Sequence, residues 1–313
     1  MMTTERYLFD RRDEWNAFVA SSKNGTFLFN RSYMDYHSDR FVDYSLMFYD
    51  SKHRLVAILP ANINGNVIYS HGGLTYGGLI FGDSMRTTMA LEVIKAMNDT
   101  FKNDGIKSVV YKPTPWIYHH QASEEDLYAI YIFCDYKIVS REISTVVNLA
   151  HPLSMTELRR RHASKANKIG VEVGWSDSYL DFWKILDNNL MCRFGVHPVH
   201  SLEEISLLAS LFPDNIRLCI ASFDSDIVAG VVLFINYNTV HVQYISASPE
   251  GKRVGALDAV FSYLINHYSG KKAYFDFGKS TEDMGCYLNE GLIFQKEGFG
   301  GRGVCYDTYE WEL

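Results

Sequence analysis

The chain has 313 residues, more than one hydrophobic core usually serves, so two domains are expected. Charged residues make up 21% against 47% hydrophobic, and the formal net charge is −7, which argues against a broad nucleic-acid footprint over the whole surface. The cysteines (Cys134, Cys192, Cys219, Cys286 and Cys305) are scattered, odd in number and without a CxxC pair, which argues against a disulfide framework or a zinc site. No metal is expected.

Along the chain, MMTTERYLFDRRDEW is charged from the outset and lacks the apolar core of a signal peptide. The longest apolar runs are too short to span a bilayer, so a soluble cytoplasmic protein is expected. Residues 10–20 read as a helix with Trp15, Phe18 and Val19 on one face. Residues 45–50 and 54–63 read as a hairpin, and 66–70 as another strand. A helix is expected over 84–102 with Ser84 as its cap, a strand over 106–113, and a helix over 123–136 capped by Ser123. A long strand over 137–150 completes a mixed α/β first unit, 1–150.

The second unit, 151–313, opens on a basic helix carrying Arg159, Arg160, Arg161, Lys165 and Lys168, with Ser154 and Glu157 at capping-box spacing. Helices over 176–194 and 201–212 follow, the latter with Ser201 and Glu204 at the same spacing. Three antiparallel strands are expected over 215–224, 226–237 and 239–248. Residues 248–268 read as a loop that becomes a helix, 271–278 as a strand, 283–291 as a short helix and 303–312 as the last strand.

Lys252, Arg253, Val254, Gly255 and Ala256 lie where that loop opens the helix. Unpaired N–H groups and a partial positive charge suit a pyrophosphate there, and a solvated loop is the plainer reading. Asp276 and Ser280 flank Gly278 at a strand end, where a carboxylate could accept a proton, orient an acceptor or cap a turn, and Ser280 is a candidate contact to the acceptor. Tyr244 could protonate a leaving group or simply pack. Arg193 and His197, on a loop, could bind an anionic acceptor, and Arg193 could equally close the preceding helix at its C-terminus. The basic helix could meet a phosphate or be a solvated face.

The element order and the segment around Gly255 resemble the GNAT superfamily of acyl-CoA N-acyltransferases. The usual Q/R-x-x-G-x-G/A motif is imperfect here, reading Arg253-Val254-Gly255-Ala256. Closer still is the FemAB-like branch, which carries two GNAT-like units in one chain. LRRRHASKANKIGVEV (158–173), CRFGVHP (192–198), SFDSDIVAGVVLF (222–234), GGLTYGGLIFG (72–82) and YFDFGKST…GLIFQKEGFG (274–300) resemble its segments in order. The resemblance implies two tandem α/β units and transfer of an acyl group to an amine, in cell-wall or polysaccharide biosynthesis. It implies that Lys296 stabilises charge on the donor carbonyl; Tyr244 and Asp276 are further catalytic candidates from their places in the strands. Acyl-CoA is the expected donor. The alternatives are an aminoacyl-tRNA donor, against which the net charge leans, and a non-catalytic binding protein that kept the fold.

Overall fold

In the computed structural model, which describes residues 2–313, the chain forms two compact units. The first holds the chain up to Glu142 together with Asp283–Cys286 and Cys305–Leu313. The second holds Ile143–Glu282 and Tyr287–Val304. The division is thus not a single cut near residue 150: the C-terminal strand segment belongs with the first unit.

The first unit pairs strands Thr3–Arg6, Leu46–Tyr49, Leu55–Leu59 and Ile80–Phe81 in one antiparallel sheet. Its strand Ser108–Tyr111 pairs antiparallel with the end of the closing strand and parallel with Val67–Tyr69. The helix Thr87–Asn103 buries Val93, Ile94, Met97 and Phe101 against Phe48, Phe81 and Trp311. Ser84 does not cap this helix, which begins three residues later with Arg86 at its N-cap. Ser123 does not cap Glu125–Phe133 either; Glu124 holds that position and no side chain bonds there.

The second unit opens with helix α1 (Glu157–Lys168), followed by β1 (Glu172–Ser176), α2 (Tyr179–Phe194) and α3 (Leu202–Leu211). Thr156, not Ser154, is the N-cap of α1, and its backbone N–H donates to Gly298 O at 2.8 Å. The capping box of α3 is present, with Ser201 and Glu204 satisfying each other's backbone N–H. Next come β2 (Ile216–Phe223), β3 (Asp226–Ile235) and β4 (Thr239–Ala247), an antiparallel run as expected from sequence.

The 248–256 segment is helical, not a loop. Pro249–Val254 forms α4, started by Ser248, whose Oγ accepts from Gly251 N. Gly255 then turns the chain at φ +73 into α5 (Ala256–Tyr268). Only the left-handed region joins two helices so tightly, which is what a glycine tolerates. Strand β5 (Tyr274–Lys279) lies parallel to β4 and antiparallel to Ser144–Asn148.

The short helix also lies elsewhere than expected. Residues 283–285 form a single 3-10 turn closed by Gly285, where a side chain would meet Arg141 O at 2.0 Å. The helix proper is α6 (Glu290–Glu297), capped by the Asn289 side chain on Leu292 N.

The core of this unit lies between α5 and the sheet. Phe261 meets Phe275, Phe277 and Phe299 edge-on, above Val231, Leu233, Val240 and Val242. On the other face, Phe182 of α2 lies against Gly230, where an added Cβ would sit 2.5 Å from the ring. That contact is the packing reason for the glycine in VAG.

Candidate functional site

The closing segment is built around Phe299. Its ring stacks on Phe277 at 5.5 Å and lies under the Arg159 guanidinium at 5.6 Å. Gly300 follows at φ +91, and any Cβ there would stand 2.4 Å from Leu153 O. These contacts fix the end of α6, and Lys296 occupies its last turn. Lys296 is only 7% exposed. Its ammonium donates to Gly278 O at 2.8 Å and Lys279 O at 2.7 Å, the carbonyls that end β5. Burial pulls its pKa down to about 8, opposed by the charge of nearby Asp276.

Asp276 sits between Phe275 and Phe277 on β5. Those two rings enter the core, so alternation turns Asp276 to the opposite face. It is fully buried and accepts three hydrogen bonds: from the Ser144 hydroxyl, from Gly278 N at 2.9 Å, and from His241 Nδ1 at 2.7 Å. Three donors offset the desolvation of one carboxylate. His241 on β4 is the register partner of Asp276, and the pairing of β4 with β5 runs only over Thr239–His241. Beyond that rung the strands separate, β4 carrying a bulge opposite Val232 and Leu233.

Tyr244 follows the bulge and faces α2, edge-on to Trp183 at 5.1 Å. Its hydroxyl accepts from His200 N at 3.2 Å and is bonded to His200 Nδ1. Burial raises its pKa to about 12. This tyrosine is 9% exposed and engaged by His200 rather than presented to solvent.

In the 252–256 segment, Val254 and Ala256 lie in the core and Gly255 makes the bend. Arg253 is exposed and ion-paired with Glu250, its Nε 2.9 Å from Oε2, and Lys252 donates to Asn189 Oδ1 at 3.3 Å. The first turn of α5 carries Asp258, buried against Arg159 at 2.9 Å. Beside the start of α4 lies a depression of about 680 Å3 whose charged lining is Asp181, Asp224, Asp226 and Glu250 with one lysine, Lys184. Carboxylates therefore stand at both helix N-termini.

Arg193 is exposed near the end of α2, which is closed by Gly195 at φ +66 rather than by the arginine. His197 pairs with Asp187 at 2.6 Å on the surface. Ser280 is buried next to Lys279, and its Oγ has no hydrogen-bond partner among the described residues. Lys296 and Asp276 are thus brought together around Gly278, with Ser280 two residues on. Tyr244, Arg193, His197 and the 252–256 segment do not join that cluster through any hydrogen bond. Among the described residues no group of His, Cys, Asp and Glu could hold a metal ion, and no helix is long and apolar enough to cross a membrane.

Residues 157–284 match the family model described as an acetyltransferase (GNAT) domain. The structure called FemX superimposes with a TM-score of 0.71 at 11% identity, covering 99% of this chain and 97% of that one. The fold is the two-unit, FemAB-like fold of the GNAT superfamily. A tandem GNAT protein from the clavulanic acid biosynthesis pathway shares it at a TM-score of 0.51 and 9% identity, over 100% of this chain and 98% of that one. So does the C-terminal domain of a putative lysylphosphatidylglycerol synthetase from Agrobacterium fabrum, at 0.61 and 11%, over 96% and 91%. No curated protein matches by sequence.

Within this GNAT fold, His241 and Ser144 were missed by sequence reasoning. A lone histidine in an apolar strand looks like a packing residue. Only the adjacency of β4 and β5 brings it to Asp276. The available signal was the odd polar residue between Val240 and Val242, off the core face. On α1, Arg159 is largely covered where it pairs with Asp258, whereas Arg160, Arg161, Lys165 and Lys168 are exposed along one shallow depression.

Proposed function

We propose that this protein moves an acyl or aminoacyl group from an activated ester or thioester to an amine, with the chemistry in the second unit. The observation that carries this reading is the placement of Lys296. Aminolysis of an ester passes through an oxyanion, and a fixed cation aimed at that oxygen lowers the barrier by about 3–4 kcal/mol. A buried ammonium tied to two carbonyls is such a cation: two protons hold it in place and the third is left for a ligand. Asp276, three residues before Lys279, lends the negative charge that helps keep it protonated.

For the donor, the GNAT-domain match supports acyl-CoA. The acidic lining beside α4 and the Asp258–Arg159 pair at α5 support an aminoacyl ester of tRNA instead, since a pyrophosphate at α4 would face carboxylates and the arginine at the start of α5 is already taken up by Asp258. The exposed cations of α1 offer contacts to a nucleic-acid backbone despite the acidic whole. The printed name lysylphosphatidylglycerol synthetase pairs an amino acid with a lipid and supports an aminoacyl cargo in cell-envelope chemistry. We take the aminoacyl ester as the donor.

Two binding measurements separate the donors. Filter retention of aminoacyl-tRNA should weaken steeply between low and physiological salt. Thermal shift with acetyl-CoA, longer acyl-CoAs and free CoA should show no stabilisation. Stabilisation by CoA thioesters without tRNA retention would restore the thioester reading. Neither response, together with no transfer, would leave a binding protein with this fold.

A further inference from the structure

The proton inventory of the reaction is incomplete with Lys296 alone. An amine that attacks an ester carbonyl gives a tetrahedral adduct with an N–H proton to lose, while the departing oxygen needs one. Lys296 is committed to two carbonyls and carries a positive charge, so it serves the oxyanion rather than that transfer.

We propose that His241 is the general base of this site, with Asp276 as the residue that positions it. This rests on the transfer reading above and names the group that handles its proton. Asp276 accepts from His241 Nδ1 at 2.7 Å. That bond places the ring's proton on Nδ1 and leaves the Nε2 lone pair free. Asp276 is itself fixed by Ser144 and by Gly278 N, so the imidazole is held through a chain of bonds. Among the described residues Nε2 has no hydrogen-bond partner, and the side chain keeps 13% of its exposure.

Gly278 connects the two groups. Its carbonyl receives the Lys296 ammonium, and an added Cβ at this residue would sit 3.4 Å from His241 Cε1. A side chain at Gly278 would stand against the His241 ring, and the glycine leaves that space open.

The step balances as follows. The acceptor nitrogen forms a bond to the donor carbonyl carbon, whose π electrons move to oxygen beside Lys296. His241 Nε2 takes the proton from that nitrogen. As the carbonyl re-forms, the ester C–O bond breaks and the departing oxygen takes the proton back from His241. The products are an amide and an alcohol, with the histidine unchanged.

The first test needs no substrate. In protein labelled with 15N-histidine, with the His241 signals assigned by their loss in His241→Gln, the neutral ring should be the Nδ1–H tautomer. Asp276→Asn should shift the ring toward the other tautomer. An Nε2–H ring in the wild type would overturn the proposal.

The second test uses alanyl-tRNA as donor. With glycinamide as acceptor, His241→Gln should lower kcat by about 100-fold or more, the usual range for a positioned base, with the KM for the donor changed little. With hydroxylamine, a weakly basic acceptor that gives up its proton more readily, the loss should shrink to a few-fold. Equal losses with both acceptors, or no loss, would overturn the assignment. Failure of the transfer reading would look different: wild type and variant would both be inert toward either acceptor while the tautomer result stood.

Discussion

His241 and Asp276 are partners at the last rung that joins β4 to β5, and their side chains are bonded at 2.7 Å. Beyond this rung the two parallel strands part. A partly buried histidine–carboxylate bond thus marks the point where backbone pairing stops, and the face carrying it is opposite to the aromatic core around Phe261. The Lys296 ammonium ends on the same short segment of β5, at Gly278 and Lys279.

Replacing Lys296 by alanine should lower turnover by about 100-fold or more, with donor retention nearly intact. It also strips two carbonyls of their donor, so urea denaturation should register a loss of about 1–3 kcal/mol. Turnover equal to wild type in the folded variant would remove Lys296 from the chemistry.

The lowered pKa of Lys296 gives a pH signature with a definite sign. The ordinary value is 10.5, and the folded value is about 8. Between them the unfolded chain binds more protons, so this residue's penalty is full below about pH 8 and is relieved as pH rises toward 10.5. The stability of wild type relative to Lys296→Met should therefore improve across that window, by about 3 kcal/mol at most. Turnover should run the other way, falling above about pH 8 as the ammonium is lost. A flat stability difference over this range would contradict the burial of the charge.

Gly230→Ala should destabilise the second unit by about 1–3 kcal/mol, because the new Cβ would stand 2.5 Å from the Phe182 ring. Adding Phe182→Leu should recover part of the loss in a double-mutant cycle. Independent, additive losses would argue against this contact.

Asp258→Asn should cost more than an exposed ion pair would, about 3 kcal/mol, since Arg159 and Asp258 are both nearly buried. Replacing both, by Met and Leu, should cost less than either single change. A double variant worse than both singles would mean that the pair's net attraction exceeds its desolvation cost.

Much of the second unit was legible in sequence. The three antiparallel strands and the Ser201 capping box follow from alternation and spacing, which are local signals. Helix α4 was not legible because six residues carry no helical period, and Gly255 read as a loop residue rather than a bend between two helices. α6 was misplaced because its start depends on the Asn289 cap, while Gly285 and Gly291 suggest turns. Lys296 and Asp276 could be nominated from the closing segment. Their meeting at Gly278, and the arrival of His241, depend on the parallel neighbour relation of β4 and β5, and no local pattern encodes strand order.

The attachment of α6 has a kinetic consequence. Asn289 caps its first turn, while Phe299 in the core and Gly300 against Leu153 secure the chain just after its last. A helix anchored at both ends cannot swing its lysine in and out as a lid would. The cation is in place before any ligand arrives, so donor association should be a single concentration-dependent phase in stopped flow, with no slower closing step behind it.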